Sequence, residues 1–202
     1  MTDHLDTYRS VCLRECEQVL QTLDEDFYRD AVALIRQCRQ KGGRLHITGI
    51  GKPAHLATYM ASLFSSTGTP AYYLHGTEAV HGSCGQLMPG DVVICVSNSG
   101  ETAEMKATAA AIHNNGCDII AVTGNADSWL AKFAQVHLLA HVSAEGGPLN
   151  RAPRASILAE MLVLQGLSTI LQGENQLTPE EYVKRHPGGT LGKLRPEEVS
   201  PC

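Results

Sequence analysis

Two short segments carry the residue types that bind phosphate and move protons. Ser97-Asn98-Ser99-Gly100-Glu101-Thr102 follows an apolar run and opens a helical stretch. Hydroxyls at Ser97, Ser99 and Thr102, a permissive glycine and the free N–H groups of a helix start together make an anion site that needs no net positive charge. An N-cap cluster of Ser99 with Thr102 would account for the same residues without a ligand. Gly49-Ile50-Gly51-Lys52-Pro53 also leads from a strand into a helix. It lacks the third glycine of a dinucleotide fingerprint and the spacing of a P-loop. A tight turn explains its glycines, yet Lys52 falls at the carboxyl end of a strand, where open parallel sheets place their ligands. Glu101 and Glu104 are favoured in a first helical turn by the dipole. A carboxylate one turn beyond a phosphate site can also reach a substrate carbon as a general base, and only one of the two need do so. His75 and His81 bracket HGTEAVHG, and His186 sits in HPGG. Loop histidines are more often structural or solvated, but three in glycine-flanked loops beside an anion site are candidate acids. His75, Glu78 and His81 match no standard zinc spacing, so no metal is expected. His46, His113, His137 and His141 fall inside expected elements and receive no functional role.

These loops need a frame, and short β-branched runs alternating with longer helical ones specify βαβ units on a parallel sheet. Helices are expected at about 3–22 and 26–40, a strand at 44–50, a helix at about 53–66 with Pro53 in its first turn, and a short strand at 71–75. Residues 91–97 (DVVICVS) read as a strand buried on both faces. A helix over 101–115 stops at Asn115-Gly116, and strands follow at 118–123 and 136–142. A long helix at about 153–172 and a short one opened by Thr178-Pro179 complete the chain. No repeat, low-complexity tract or linker marks a boundary. The expectation is one domain over 1–202, with a helical N-terminal segment at about 1–42 and an αβα core at about 43–192.

Composition narrows the function classes. A chain of 202 residues fits one ordinary domain, and 43% hydrophobic against 18% charged content argues against disordered, collagen-like and coiled-coil classes. A net charge of −5, no Lys/Arg block and 5% aromatics argue against nucleic-acid partners, which need phosphate-neutralising patches or stacking platforms. The start MTDHLDTYRS is acidic and polar rather than basic and then apolar, so no secretory signal is expected. The most apolar helical run, 156–172, is interrupted by Glu160 and Gln165 and falls short of the ~20 residues of a bilayer span. No membrane contact and a cytoplasmic location follow as expectations. Seven cysteines (Cys12, Cys16, Cys38, Cys84, Cys95, Cys117, Cys202) form an odd set with no C-x-x-C pair. Neither a disulfide framework nor a zinc site is expected, and burial as small hydrophobes is the simpler role, also for Cys12 and Cys16 one helical turn apart.

GIGKP, STGTPAYYLHGTEAVHG, PGDVVICVSNSGETAE, AVTGN and HPGGTLG, in that order, resemble the sugar isomerase (SIS) domain family, and within it the D-arabinose 5-phosphate isomerases. The resemblance runs from about residue 49 to residue 192. It implies an α/β fold, a three-layer αβα sandwich on a five-stranded parallel sheet. It also implies a homotetramer with active sites lined by more than one subunit, and no cofactor. Carried over by motif, the phosphate loop falls on Ser97, Asn98, Ser99 and Thr102, with Gly51 of GIGKP beside it. The functional lysine falls on Lys52, the first histidine on His81, the glutamate on Glu104 and the second histidine on His186. Larger members continue into paired CBS modules, whereas this chain stops at Cys202 and looks like the stand-alone type.

The implied activity is aldose–ketose isomerisation of a sugar phosphate through an enediol, with arabinose 5-phosphate and ribulose 5-phosphate the leading pair. The alternatives are another phosphosugar or a non-catalytic phosphosugar sensor. A sensor would not need Lys52, His81, Glu104 and His186 together. Three departures bear on the sugar. Pro53 stands where the family commonly has serine, Ser83 where the isomerases usually carry Asp, and Ala152-Pro153-Arg154-Ala155-Ser156, preceded by Arg151, replaces a hydroxyl-rich segment. The two arginines could bind a second anionic group or make an inter-subunit salt bridge.

Overall fold

The computed structural model describes residues 3–198. Five parallel strands form one sheet: β1 (Leu45–Gly49), β2 (Ala71–Tyr73), β3 (Val92–Val96), β4 (Asp118–Thr123) and β5 (Val136–Leu139), in the order β2-β1-β3-β4-β5. Among the described residues eight α-helices accompany them: α1 (His4–Thr22), α2 (Glu25–Gln40), α3 (Lys52–Ser66), α4 (Gly76–Ala79), α5 (Ala103–Asn114), α6 (Trp129–Phe133), α7 (Ala155–Asn175) and α8 (Pro179–Arg185). Central β1 and β3 are buried at every position, as strands covered on both faces must be.

Side chains alternating along the strands divide the interior into two cores. On one face Leu45, Ile47, Ile94, Val96 and Val122 meet α2, α3 and α7. On the other, Val93, Cys95, Ile119 and Ala121 meet Met105, Ala109 and Ile112 of α5 and Leu130 of α6. The chain is thus the three-layer sandwich that its motifs implied. The helical N-terminal segment does not stand apart from it. Tyr28, Ala31, Val32, Ile35 and Cys38 of α2 are buried in the first core, and the Tyr28 hydroxyl donates to the Val163 carbonyl at 2.9 Å.

Three expectations need correction. The helix expected over 101–115 starts only at Ala103, because residues 97–102 form a loop of their own. The last long helix continues to Asn175 and is 21 residues, so its length no longer excludes a bilayer span. Half of its most apolar window is nevertheless buried, in a stripe that includes Ala159, Val163, Leu164 and Leu167, which makes it a core helix of the sandwich. Helices α4 and α6, four and five residues long, were not expected, since neither spans two turns and neither can show a helical period. Among the described residues no group of three or more His, Cys, Asp or Glu could hold a metal ion, and the six described cysteines are free. Cys202 lies outside the described residues.

At the amino edge of the sheet, Asp91 is fully buried and accepts from the Arg44 and Met88 amides at 2.8 and 2.9 Å and from the Arg44 guanidinium at 2.9 Å. The His46 ring nitrogen Nε2 lies 3.1 Å from the same carboxylate. Burial alone would raise this carboxyl; the ring of donors outweighs it and holds it below the ordinary value. Glu160 on α7 has no such ring. It is 1% exposed, neither oxygen has a partner among the described residues, and burial together with the Glu145 carboxylate pushes its pKa up to about 8.

A carboxyl raised in the folded state binds its proton where the unfolded chain, near 4.5, has released it. Stability should therefore be greatest below pH 4.5 as far as this group is concerned, and fall by up to about 1.4 kcal/mol per pH unit as pH rises from there toward 8. Glu160→Gln should flatten that slope in denaturant titrations at stepped pH, and an unchanged slope would refute the buried acid.

Candidate active site

The sheet order places β1 between β2 and β3, so the chain leaves β1 and β3 toward opposite faces, into α3 on one and α5 on the other. Adjacent strands whose continuations diverge leave a crevice at their carboxyl ends, the usual ligand position in open α/β sheets. Register brings the two turns level: Thr48 pairs with Cys95 and Gly49 with Val96, so Ile50 and Ser97 are the next residues on each side. Tertiary structure thereby joins two loops that are 46 residues apart in sequence, counted from Gly51 to Ser97.

The β1–α3 turn is built by its glycines. A Cβ on Gly49 would lie 2.6 Å from the Pro53 carbonyl carbon, so the strand end and helix start touch backbone to backbone. Gly51 is the N-cap of α3 at φ 67° and ψ −128°, a conformation that L residues rarely adopt. Lys52 then becomes the first helical residue, exposed and without an ion pair among the described residues, and Pro53 takes the position where a missing N–H is harmless.

The β3–α5 loop is anchored from behind. The carbonyls on its supported side are occupied, Ser97 O by the Gly100 amide at 3.0 Å, Asn98 O by the Gly124 amide at 2.8 Å, and Gly100 O by the Leu130 amide at 3.1 Å. The amides of Asn98 and Ser99 find no acceptor among the described residues, and Thr102, the N-cap of α5, makes no side-chain cap bond. The Ser99–Thr102 cap that would account for these residues without a ligand does not form; the Ser99 hydroxyl accepts from the Glu101 amide at 3.2 Å. The result is a backbone concavity with free donors at the start of a 12-residue helix, complementary to an anion. Two close approaches hold its shape, because a Cβ on Gly100 would collide with the Ser128 hydroxyl and one on Gly124 with the Asn98 amide oxygen.

The two glutamates separate in the structure. Glu101 precedes the helix and is engaged, taking the Trp129 amide at 2.7 Å and the Lys106 ammonium at 2.6 Å. Glu104 lies in the first turn of α5, exposed and with no hydrogen bond or ion pair among the described residues. Its carboxylate is available; that of Glu101 is occupied.

Around the crevice, His75 caps α4 with Nδ1 accepting from the Glu78 amide at 3.3 Å, and exposed His81 lies two residues beyond that helix. His55 was missed in the sequence. It lines a cavity of about 350 Å³ with Gly49, Gly51, Tyr73, His75 and Thr77. Its signal is the i,i+3 spacing from Lys52, which puts both side chains on one side of a helix start. Arg154 and Arg151 are exposed and make no salt bridge among the described residues. They stand at the start of α7, where the Glu145 carboxylate accepts from the Arg154 and Ser156 amides at 2.6 and 3.1 Å.

His186 is elsewhere. It ends α8, with Nδ1 2.8 Å from the Tyr182 carbonyl and its ring stacked on Tyr182. The adjoining Arg185 guanidinium lies by Gly68, just past the end of α3. Lys52 begins that same 15-residue helix, about 22 Å away at 1.5 Å per residue. Within one chain the structure brings together Gly51, Lys52, Ser97, Asn98, Ser99, Thr102 and the start of α5, but not His186.

Comparison with known proteins fits this geometry. The SIS domain family pattern matches residues 35–169. The arabinose 5-phosphate isomerase KdsD of Shigella flexneri is 36% identical over 180 residues, 89% of this chain and 54% of that protein. KdsD of Francisella tularensis is 35% identical over 197 residues, 96% of this chain and 60% of that one. The chain thus spans little more than half the length of these curated relatives. The solved structure of c3406 from E. coli CFT073, in complex with arabinose 5-phosphate, superposes with a TM-score of 0.83 at 32% identity, covering 91% of this chain and 95% of that one.

A methyl group added at Gly51 would meet open space, whereas the backbone there holds a conformation that favours glycine, so Gly51→Ala carries only a backbone penalty. It should lower stability by about 1–3 kcal/mol in chemical denaturation, with Lys52 displaced. A variant as stable as the parent would show that the turn does not need this conformation.

Proposed function

The chain belongs to the SIS domain family, and from that footing we propose that it is an aldose–ketose isomerase acting on a sugar phosphate, arabinose 5-phosphate and ribulose 5-phosphate being the favoured pair. The observation that carries this reading is the anion-complementary loop 97–102 set level with Lys52 across the β1–β3 crevice. The relatives named arabinose 5-phosphate isomerase, and the solved relative in complex with that sugar phosphate, support the choice of sugar.

In this reading the phosphoryl group sits on Ser97, Asn98, Ser99 and Thr102, held by amides and hydroxyls, which positions the sugar carbons toward Lys52 and Gly51. Isomerisation then needs a base to take the proton from the carbon beside the carbonyl, giving an enediol. The proton returns to the neighbouring carbon while a second proton moves between the two oxygens. Glu104, in the first turn of α5 with an unengaged carboxylate, suits the carbon-bound proton. Lys52 stabilises the developing oxyanion, and His81 and His186 serve ring opening and transfer between oxygens. No metal or cofactor is required for these steps.

His186 enters this scheme from a second copy, because in its own chain it lies at the far end of α3 from Lys52. The proposal therefore includes a homo-oligomer, a tetramer as the family resemblance implies, with each site completed across an interface. The described residues are read as a single SIS domain with α2 as part of its core.

Incubation with pentose and hexose phosphates in deuterated water should place deuterium on the carbon beside the carbonyl of one of them. No exchange with any member, together with tight binding of one, would favour a non-catalytic sensor instead. Glu104→Gln should keep phosphosugar binding while lowering turnover on the order of 10²-fold or more; undiminished turnover would remove Glu104 from the mechanism. Lys52→Ala and His186→Ala, each inactive alone, should regain activity when refolded together, since mixed oligomers rebuild some intact sites. Absence of any recovery, with mixed oligomers demonstrated, would put His186 outside the shared site.

A further inference from the structure

We propose that Glu101 is a positioning residue for phosphoryl binding, a clamp that fixes loop 97–102 against α6 and α5 so that its free amides converge on the anion. This rests on the phosphate-loop reading above and adds to it a residue that the reading leaves unused.

Glu101 is the last acidic residue before the helix, and both of its oxygens are engaged by different elements. Oε1 accepts from the Trp129 amide at 2.7 Å, at the start of α6, and Oε2 accepts from the Lys106 ammonium at 2.6 Å, one turn into α5. Lys106 and the Trp129 amide hold the carboxyl below its ordinary value although it is exposed. One turn of chain therefore ties the loop to the two helices on either side of it.

The backbone repeats the same connection. Gly100 O accepts from the Leu130 amide at 3.1 Å, next to the Trp129 amide that Glu101 takes, so the loop meets the start of α6 at two consecutive N–H groups. Ser128, whose hydroxyl caps α6, occupies the space that a Gly100 side chain would need. Loop and α6 start are thus shaped to each other. A phosphate approaching the Asn98 and Ser99 amides meets donors whose carbonyl sides are already held, so little ordering remains to be done on binding.

The clamp carries its own reporter. Trp129 is the chain's single tryptophan. Its ring is stacked on Phe133 at 4.4 Å between centroids, and the Lys106 ammonium lies 5.7 Å from its centroid. The Lys106 ammonium faces both Glu101 and the indole, so an anion on the loop changes the field that this ion pair sets at Trp129, and occupation of the loop should alter indole emission without reshaping it.

The test uses the intact protein with inorganic phosphate, followed by calorimetry and by Trp129 fluorescence, and then with the active sugar phosphate. Glu101→Ala should weaken phosphate binding about tenfold and abolish the fluorescence response. KM for the sugar phosphate should rise by a similar factor while kcat at saturation changes less than twofold. Glu101→Gln keeps an oxygen for the Trp129 amide but loses the charge facing Lys106, and should recover most of the affinity. A merely structural role would lower the melting temperature of Glu101→Ala and leave affinity, KM and the fluorescence response unchanged; that result overturns the clamp while the phosphate loop stands. A kcat loss of the size given by Glu104→Gln, with KM intact, would overturn it too, by making Glu101 a catalytic group. Failure of the parent protein to bind phosphate and every phosphosugar would overturn the proposed function and the clamp with it.

Discussion

A loop that binds an anion through its backbone must hold its carbonyls elsewhere. In residues 97–102 that condition is met by β4 and α6: the Gly124 and Leu130 amides take the Asn98 and Gly100 carbonyls, and the loop's own turn takes that of Ser97. With those oxygens bound, the Asn98 and Ser99 amides and the first turn of α5 are left as donors on the opposite side. The complementarity of the loop to an anion is therefore a property of its support. The loop after β4 and the start of α6, by holding those carbonyls, decide which way the free donors point.

The sheet supplies the second half of the arrangement. Parallel pairing in register sets the ends of β1 and β3 at one level, and the crossing order sends their helices to opposite faces. Lys52 is thereby set level with an anion-complementary loop from which it is distant in sequence. Rigidity comes from strands buried at every position and, at the other edge, from the Asp91 carboxylate with its Arg44, Met88 and His46 partners. The structure thus separates an amino edge whose buried carboxylate is fully paired from a carboxyl edge that keeps unpaired backbone donors. Glu160 is the exception inside the core, a buried acid with no donor among the described residues; burial holds it protonated near neutrality, which spares the core a charge but leaves both oxygens unpaired.

Much of this was legible in the residues. Runs such as DVVICVS and DIIAVT are too continuously apolar for a half-exposed strand, so a parallel sheet covered on both faces followed from composition alone. GIGKP and SNSGET announce strand-to-helix turns because glycine, proline and hydroxyl residues occur there for backbone reasons that are local. Glu101 and Glu104 show the limit. Their spacing makes them equivalent members of a first turn, and only the start of the helix at Ala103, with the Trp129 amide 28 residues further on, separates an engaged carboxylate from an available one. His55 escaped for a related reason, since a histidine in an amphipathic helix carries no mark until the cavity it lines is assembled.

By itself, then, the sequence determined the alternation of strands and helices and the two glycine-bearing turns, because hydrophobic period, capping and backbone permissiveness act over a few residues, while the family followed from the resemblance of its motifs. Tertiary structure alone decided that the two turns are level, that Glu101 is engaged and Glu104 is not, and that His186 lies a helix length away from Lys52 in its own chain. Those outcomes depend on strand order, register and which distant amide reaches which oxygen. Such pairings arise only when the whole chain closes on its core, and no local pattern encodes them.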